Sequence, residues 1–346
     1  MHKKLILSFI TFLLTVLICT AALSSQNNTQ SDKNRKQTWS SDKLHAAESY
    51  AGEIGTAAVL VLHQGRTVFS YGDITYKYMC HSIRKPFLGS LYGIYIERRV
   101  IDIHATLNEL HIDDIPPSLT SAEKRASIHD LLLSRSGVYH EAAGEAQSMI
   151  DTRPDRGSHD PGAFFYYNNW DFNVLGTIFE QTTAKGIFNA FYEEIAKPIG
   201  MEDFSPDDCS YVFERSKSSH PAYFFRMSTR DMARFGLLYQ QLGRWNGKQV
   251  VPEKWIRKST AVYPVANPGG DFYGYLWRII PEEAGLGYGF YHTGFGVHLL
   301  AVLPDQELVL VHRVDTDRDF DITWMEIKKL MGMILAANKS IAYHAN

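Results

Sequence analysis

The chain has 346 residues, 45% of them hydrophobic and 21% charged, with a formal net charge of −3. That composition is too apolar for a disordered chain and long enough for one large core or two closely joined domains. No long basic run follows the first residues, which excludes nucleic acid as an expected partner, and three cysteines in so long a chain exclude a disulfide framework.

Met1-His-Lys-Lys4 precedes an uncharged run from Leu5 to Leu23 that ends among small residues, Thr20, Ala21, Ala22 and Ser24. A basic start, an apolar stretch and small residues at its end form the pattern of a secretory signal over residues 1–24. The alternative is a retained anchor, because about 19 uncharged residues approach the length of a bilayer span. Either reading implies export: periplasmic or secreted if the segment is cleaved, tethered to the membrane through residues 5–23 if it is kept. Residues 25–41 are polar, without an apolar period, and read as a flexible tether.

Ala57-Ala-Val-Leu-Val-Leu62, the turn residues Gln64-Gly65 and Thr67-Val-Phe-Ser-Tyr71 predict a first β-hairpin. Helical spacing follows in Phe87, Leu88, Leu91, Ile94 and Tyr95, with Gly89 and Gly93 four apart for close packing. Further helices are predicted over Ser127–Ser134, Asp171–Thr182 and Ser228–Leu242, the last opened by a Ser-Thr-Arg-Asp cap. Tyr273 to Ile280 reads as a strand. His298–Leu303 and Leu308–His312, joined by Pro304-Asp305-Gln306-Glu307, form a second hairpin, and Asp321–Ala337 an amphipathic helix that packs on the sheet. Strands at both ends with helices between predict an α/β (α+β) architecture: an antiparallel sheet from residues 42–85 and 265–338, flanked by N- and C-terminal helices, and a helical domain inserted over 86–264. A cleft between the two parts is the expected place for a site.

Three Ser-x-x-Lys tetrads occur, at Ser40–Lys43, Ser121–Lys124 and Ser82–Lys85. Only Ser82–Lys85 follows sheet-like sequence and enters a strongly apolar helix. At a first helical turn, residues three apart share a face, and the free N–H groups there favour the negative charge of a developing oxyanion. Pro86 is tolerated only near such a start, so the helix begins tightly wound at Ser82–Lys85. The plainer reading is a capping serine beside a surface lysine.

Phe165-Tyr-Tyr-Asn-Asn-Trp170 supplies a tyrosine whose phenolate, stabilised by the lysine, could take the serine proton and return it to the leaving group. Both Tyr166–Asn168 and Tyr167–Asn169 fit; the second is preferred because the following helix then starts just after the motif. In that register Asn169 positions the lysine and the substrate carbonyl. His292-Thr293-Gly294, before the last hairpin, offers small residues whose backbone can lie along an acyl group, and a histidine that would be a partly cationic donor or an ordinary satisfied side chain. Arg135-Ser136-Gly137 is similar but falls in a helix-closing loop ahead of the tyrosine. Among fourteen histidines there is no His-Glu-x-x-His and no paired Cys/His spacing, so neither a metal nor any other cofactor is called for; His129, His140 and His159 read as structural.

In that order, Ser82-Ile-Arg-Lys85, Tyr167-Asn-Asn169 and His292-Thr-Gly294 resemble the three motifs of the penicillin-recognising serine hydrolases: β-lactamases, DD-peptidases, certain esterases and nylon-oligomer (aminohexanoate) hydrolases. His129-Asp-Leu-Leu-Leu-Ser-Arg-Ser-Gly137, Pro161-Gly162, Arg226-Met-Ser-Thr-Arg-Asp-Met-Ala-Arg-Phe-Gly236 and Gly243-Arg-Trp-Asn-Gly-Lys248 resemble the branch near class C β-lactamases, over roughly residues 45–338. The resemblance implies a β-lactamase/transpeptidase-like fold and an acyl-enzyme on Ser82, with Lys85 and Tyr167 moving protons and the Ser82 N–H in the oxyanion hole. Its partner would be a small-molecule or peptide-like substrate. Where a β-lactamase usually carries lysine, this chain has His292, and Phe295-Gly-Val-His298 is short, as in the nylon-oligomer branch. A cleft without a permanent cation implies an ester or amide rather than a β-lactam, and a lysine at 292 would favour β-lactams. The alternatives are a β-lactamase, a D-Ala-D-Ala carboxypeptidase, or a sensor that is acylated and then stalls.

Overall fold

A computed structural model describes residues 38–264 and 272–339. The signal or anchor over 1–24 and nearly all of the expected tether lie outside the described residues. The end of that tether is ordered instead: Trp39 is buried and bridges Asn338, because a tryptophan gains more from burial than the surrounding polar residues lose.

Six antiparallel strands form the main sheet: β1 (Ala58–His63), β2 (Arg66–Gly72), β3 (Arg278–Ile279), β4 (Phe290–Gly294), β5 (His298–Leu303) and β6 (Leu308–Arg313). Their order across the sheet is β2-β1-β6-β5-β4-β3, so the first hairpin pairs with the last one through β1 and β6, with Ala58 opposite Arg313 and His63 opposite Leu308. The β1–β2 turn forms at the expected Gln64-Gly65, both at positive φ (54° and 71°), as a two-residue hairpin demands. β1 and β6, continuously apolar runs, are interior strands and almost wholly buried.

The expected strand over Tyr273–Ile280 pairs only at Arg278–Ile279. Before it the chain doubles back: Gly274 N–H donates to Trp277 C=O at 2.8 Å, and Tyr273 bridges Arg278. A continuous apolar run therefore ends as a tight turn. The expected helices form over Arg84–Glu97, Ile128–Leu132, Asn169–Thr183 and Thr229–Gln240. Ser127 and Asp130 close a capping box on the second, and Ser228 caps the last by accepting from Asp231 N–H. Gly93 meets Trp255, which a Cβ would approach to 2.2 Å, so the close packing expected of that position is realised.

Helix Thr229–Gln240 packs across β1, β5 and β6, and Ala51–Ile327 forms one compact unit in which sheet and helices are not separate. Among the described residues, 38–50 and 328–339 form a second, small unit. In it Ser40 N–H donates to Ala337 C=O at 2.8 Å, Lys43 Nζ to Ala336 C=O at 3.0 Å, and the Lys329 ammonium lies 4.1 Å above the Tyr50 ring. The C-terminal helix runs from Trp324 to Ala336.

Candidate active site

Ser82 lies in a 3₁₀ turn, His81–Ile83, that runs straight into helix Arg84–Glu97. This is the tight start that Pro86 and the tetrad required. His81 has φ 47°, a left-handed conformation that a non-glycine residue adopts only when its surroundings fix it. Two sets of contacts do so. The His81 ring bonds Thr316 Oγ1 at 2.8 Å and packs on Phe295 and His298. Behind the turn, the fully buried Arg313 donates to the carbonyls of Tyr78, Met79 and Met227 at 2.9, 3.0 and 2.9 Å, and to His298 Nδ1 at 3.0 Å. Gly294, at the end of β4, passes so close that a Cβ would come 2.9 Å from the Cys80 carbonyl. The third motif's glycine thus lets β4 reach the nucleophile turn.

Lys85 is entirely buried, its Nζ 2.8 Å from Ser82 Oγ and 2.6 Å from Tyr167 Oη, over the rings of Tyr167 (4.4 Å) and Phe172 (4.3 Å). Burial, then the guanidinium charges of Arg84 and Arg278, hold its amine well below the usual lysine range. Burial pushes the Tyr167 phenol up, while Arg278, Ser82 and Arg84 pull it back. Both shifts run toward the uncharged forms, amine and phenol, because a dry site penalises either charge.

Of the two tyrosine registers, the structure brings Tyr167 to the lysine. Tyr166 turns away and donates to the Met149 carbonyl at 2.6 Å. The Tyr167 backbone is pinned from both sides by Ser134, whose Oγ donates to the Tyr166 carbonyl and accepts from Asn168 N–H. Asn168 caps helix Asn169–Thr183. Asn169 does not reach the lysine as expected: its Nδ2 donates to the Gly144 carbonyl at 2.6 Å, and its buried Oδ1 has no protein partner. One turn on, Asn173 holds the Ala143 carbonyl in the same way, so these two asparagines fasten a loop.

His292 is fully buried and Thr293 half-buried, on alternate sides of β4. His292 Nδ1 donates to the Thr293 carbonyl at 2.8 Å; a carbonyl only accepts, so the proton sits on Nδ1 and Nε2 keeps a lone pair without a protein partner. Burial, with Lys85 and Arg278, drives its pKa well below the ordinary value. The expected partly cationic donor is a neutral ring. The cation is elsewhere: the Arg278 guanidinium lies 5.0 Å from the Tyr167 ring centre, so the expectation of a cleft without a permanent charge does not hold. Sequence reasoning missed Arg278 and Arg313, which reach the site only through hairpin and sheet pairing.

The other tetrads serve other ends. Lys43 bonds a backbone carbonyl in the small unit, and Lys124 pairs with Asp113 at 2.6 Å on the surface. Ser136 donates to the buried Asp171, and Gly137 has φ 71°, which makes that triplet a structural turn. His129 stacks near His104, and His159 on Phe164. Among the described residues no group of His, Cys, Asp and Glu could hold a metal ion.

A six-stranded antiparallel sheet joined to helices that carry a Ser–Lys–Tyr cluster defines the class of the penicillin-recognising serine hydrolases. The chain belongs to the beta-lactamase family, whose family model matches residues 42–327. No curated protein matches it by sequence. Solved structures similar to it include a 6-aminohexanoate-dimer hydrolase candidate from Bacillus anthracis, 21% identical with TM-score 0.63, covering 83% of this chain and 79% of that one. The octameric penicillin-binding protein homologue from Pyrococcus abyssi is 16% identical with TM-score 0.60, over 80% of this chain and 74% of its own. A penicillin-binding protein from Bacillus halodurans is 14% identical with TM-score 0.62, over 83% and 99%. These likenesses establish the fold.

Proposed function

We propose that the protein is a serine hydrolase that cleaves an ester or amide through an acyl-enzyme on Ser82. The observation that carries this reading is the buried Lys85 Nζ held within 2.8 Å of Ser82 Oγ and 2.6 Å of Tyr167 Oη. An amine so placed can accept the serine proton while donating to the phenol. Ser82 Oγ bonds to the substrate carbonyl carbon as its proton passes to Lys85. The Ser82 N–H at the helix start is one donor to the oxyanion. The bond to the leaving group then breaks as a proton passes through Tyr167 to that group. Water attacks the acyl-enzyme by the reverse proton path and frees Ser82.

Uncharged short esters are the first substrate class to try, since they need no anchoring charge and acylate more readily than amides. A second reading is favoured by Arg278: a permanent cation beside Tyr167 suits a substrate with a carboxylate, such as a β-lactam or a peptide end. We further propose export through residues 1–24, followed by cleavage or retention as a tether; amino-terminal sequencing of the natural product distinguishes the two. The test of the central reading is a fluorophosphonate probe, which should label Ser82 and lose its target in Ser82→Ala. Labelling mapped to Ser40 or Ser121 overturns it. Parallel assays with p-nitrophenyl butyrate and nitrocefin separate the two substrate classes, and no turnover of either by a labelled protein points to the stalled sensor.

A further inference from the structure

Arg84 stands between the nucleophile and the lysine in sequence and is only 2% exposed. Its Nη2 donates to Asn173 Oδ1 at 3.3 Å, and its guanidinium lies 4.3 Å above the Tyr223 ring and 5.1 Å from Phe224. Nε and Nη1 have no protein partner, and among the described residues no carboxylate pairs with it. Guanidinium stays protonated in proteins, so this is a permanent charge. A buried charge is costly without a counter-ion, and its field is weakly screened. The two rings and one amide offset part of that cost, which still leaves an unpaired charge here in need of a further reason.

The groups around Lys85 give one. Ser82 faces it from the preceding turn, Tyr167 and Phe172 from the tyrosine segment and its helix, Arg278 from β3, and His292 from β4, with Tyr273 behind Tyr167. None of these is a carboxylate. We propose that Arg84 is a fixed charge that keeps Lys85 an uncharged amine, so that the resting site holds a base ready for Ser82. Arg84 is thus a positioning residue, acting through Lys85, and the inference rests on reading Ser82 and Lys85 as nucleophile and base. After the burial of Lys85, Arg84 is the largest influence lowering its proton affinity, ahead of Arg278. The same charge serves the next step: an ammonium formed beside two guanidinium groups readily passes its proton to Tyr167 and the leaving group.

The test reads Lys85 directly. In protein labelled with [13Cε]lysine, the Lys85 resonance, identified by its loss in Lys85→Arg, should report an amine at pH 7. In Arg84→Met the titration midpoint should rise by about one pH unit or more, the size expected for removing a like charge. Asn173→Asp places a carboxylate on Arg84, cancels its charge in place and should raise the midpoint in the same direction. The pH dependence of Ser82 labelling should follow: labelling needs the amine, so its acid limb moves to higher pH in both variants. A wild-type Lys85 already protonated at pH 7 overturns the proposal, whatever the variants do. So does an unchanged midpoint in either folded variant, the result of a purely structural Arg84. Failure of the probe to label Ser82 would instead strike the serine-hydrolase reading and leave the titration result standing.

Discussion

The two adjacent tyrosines offer a perturbation with opposite expectations from nearly identical chemistry. Tyr167→Phe removes an Oη that lies 2.6 Å from Lys85 Nζ; Tyr166→Phe removes one that donates to the Met149 carbonyl at the same distance. A positioned acid–base group contributes about 10²–10⁴-fold, so Tyr167→Phe should lower kcat/KM on p-nitrophenyl butyrate by on the order of 10²-fold or more, about 3 kcal/mol of transition-state stabilisation. Its thermal midpoint should fall by only a few degrees, the cost of one hydrogen bond lost by the buried Lys85 amine. Tyr166→Phe loses one neutral hydrogen bond at a partly buried site, about 1 kcal/mol of stability and a Tm lower by a few degrees, with kcat/KM within about twofold of wild type. Initial rates and thermal unfolding on both proteins decide it. Equal losses in kcat/KM, or the larger loss from Tyr166→Phe, would refute the proton path through Tyr167.

Two further substitutions probe the surroundings. His292→Lys puts an amine in a fully buried position already facing Lys85 and Arg278, so it should cost roughly 2 kcal/mol or more and give no gain in nitrocefin acylation over ester hydrolysis; a stable variant with improved β-lactam acylation would restore the view that this position wants a cation. Gly93→Ala drives a Cβ to 2.2 Å from Trp255 Cγ and should lower stability by about 1–3 kcal/mol in denaturant melts while leaving the labelling of Ser82 intact.

What the sequence disclosed was what short-range geometry controls. Ser82 and Lys85 share a face because a helical turn puts residues three apart together, and Pro86 marks where that turn starts. Both hairpins could be read from alternation and turn residues, and the cap at Ser228 from its Ser-Thr-Arg-Asp sequence. The alternation also held a signal for His292: it shares a side of β4 with Phe290 and Gly294, both buried, and that period predicts a buried ring rather than a cleft donor. Asn169 misled because its spacing from Tyr167 fits a reach to the lysine, whereas the loop at Gly144 lies nearer to its amide. Arg278, Arg313 and Arg84 were illegible in their roles. Strand pairing brings the first two to the site, and only the packing of Tyr223 over Arg84 reveals that its charge is buried.

Those three arginines alter what the third motif means. A lysine at position 292 would supply charge from the strand itself. Here β4 carries a neutral ring, and positive charge stands at three other places: Arg313 behind the nucleophile turn, Arg84 beside the lysine and Arg278 over the tyrosine. Arg313 acts on the turn, whereas Arg84 and Arg278 act together on the proton-transfer groups. Arg313 fixes the carbonyls that set the strained turn of His81 and Ser82, and among the described residues no carboxylate pairs with it. Arg84 and Arg278 bear on the proton affinities of Lys85 and Tyr167. Substituting either arginine should therefore raise the Lys85 titration midpoint, whereas Arg278→Met alone should also change the preference between nitrocefin and p-nitrophenyl butyrate; an equal change of preference in Arg84→Met would refute that assignment.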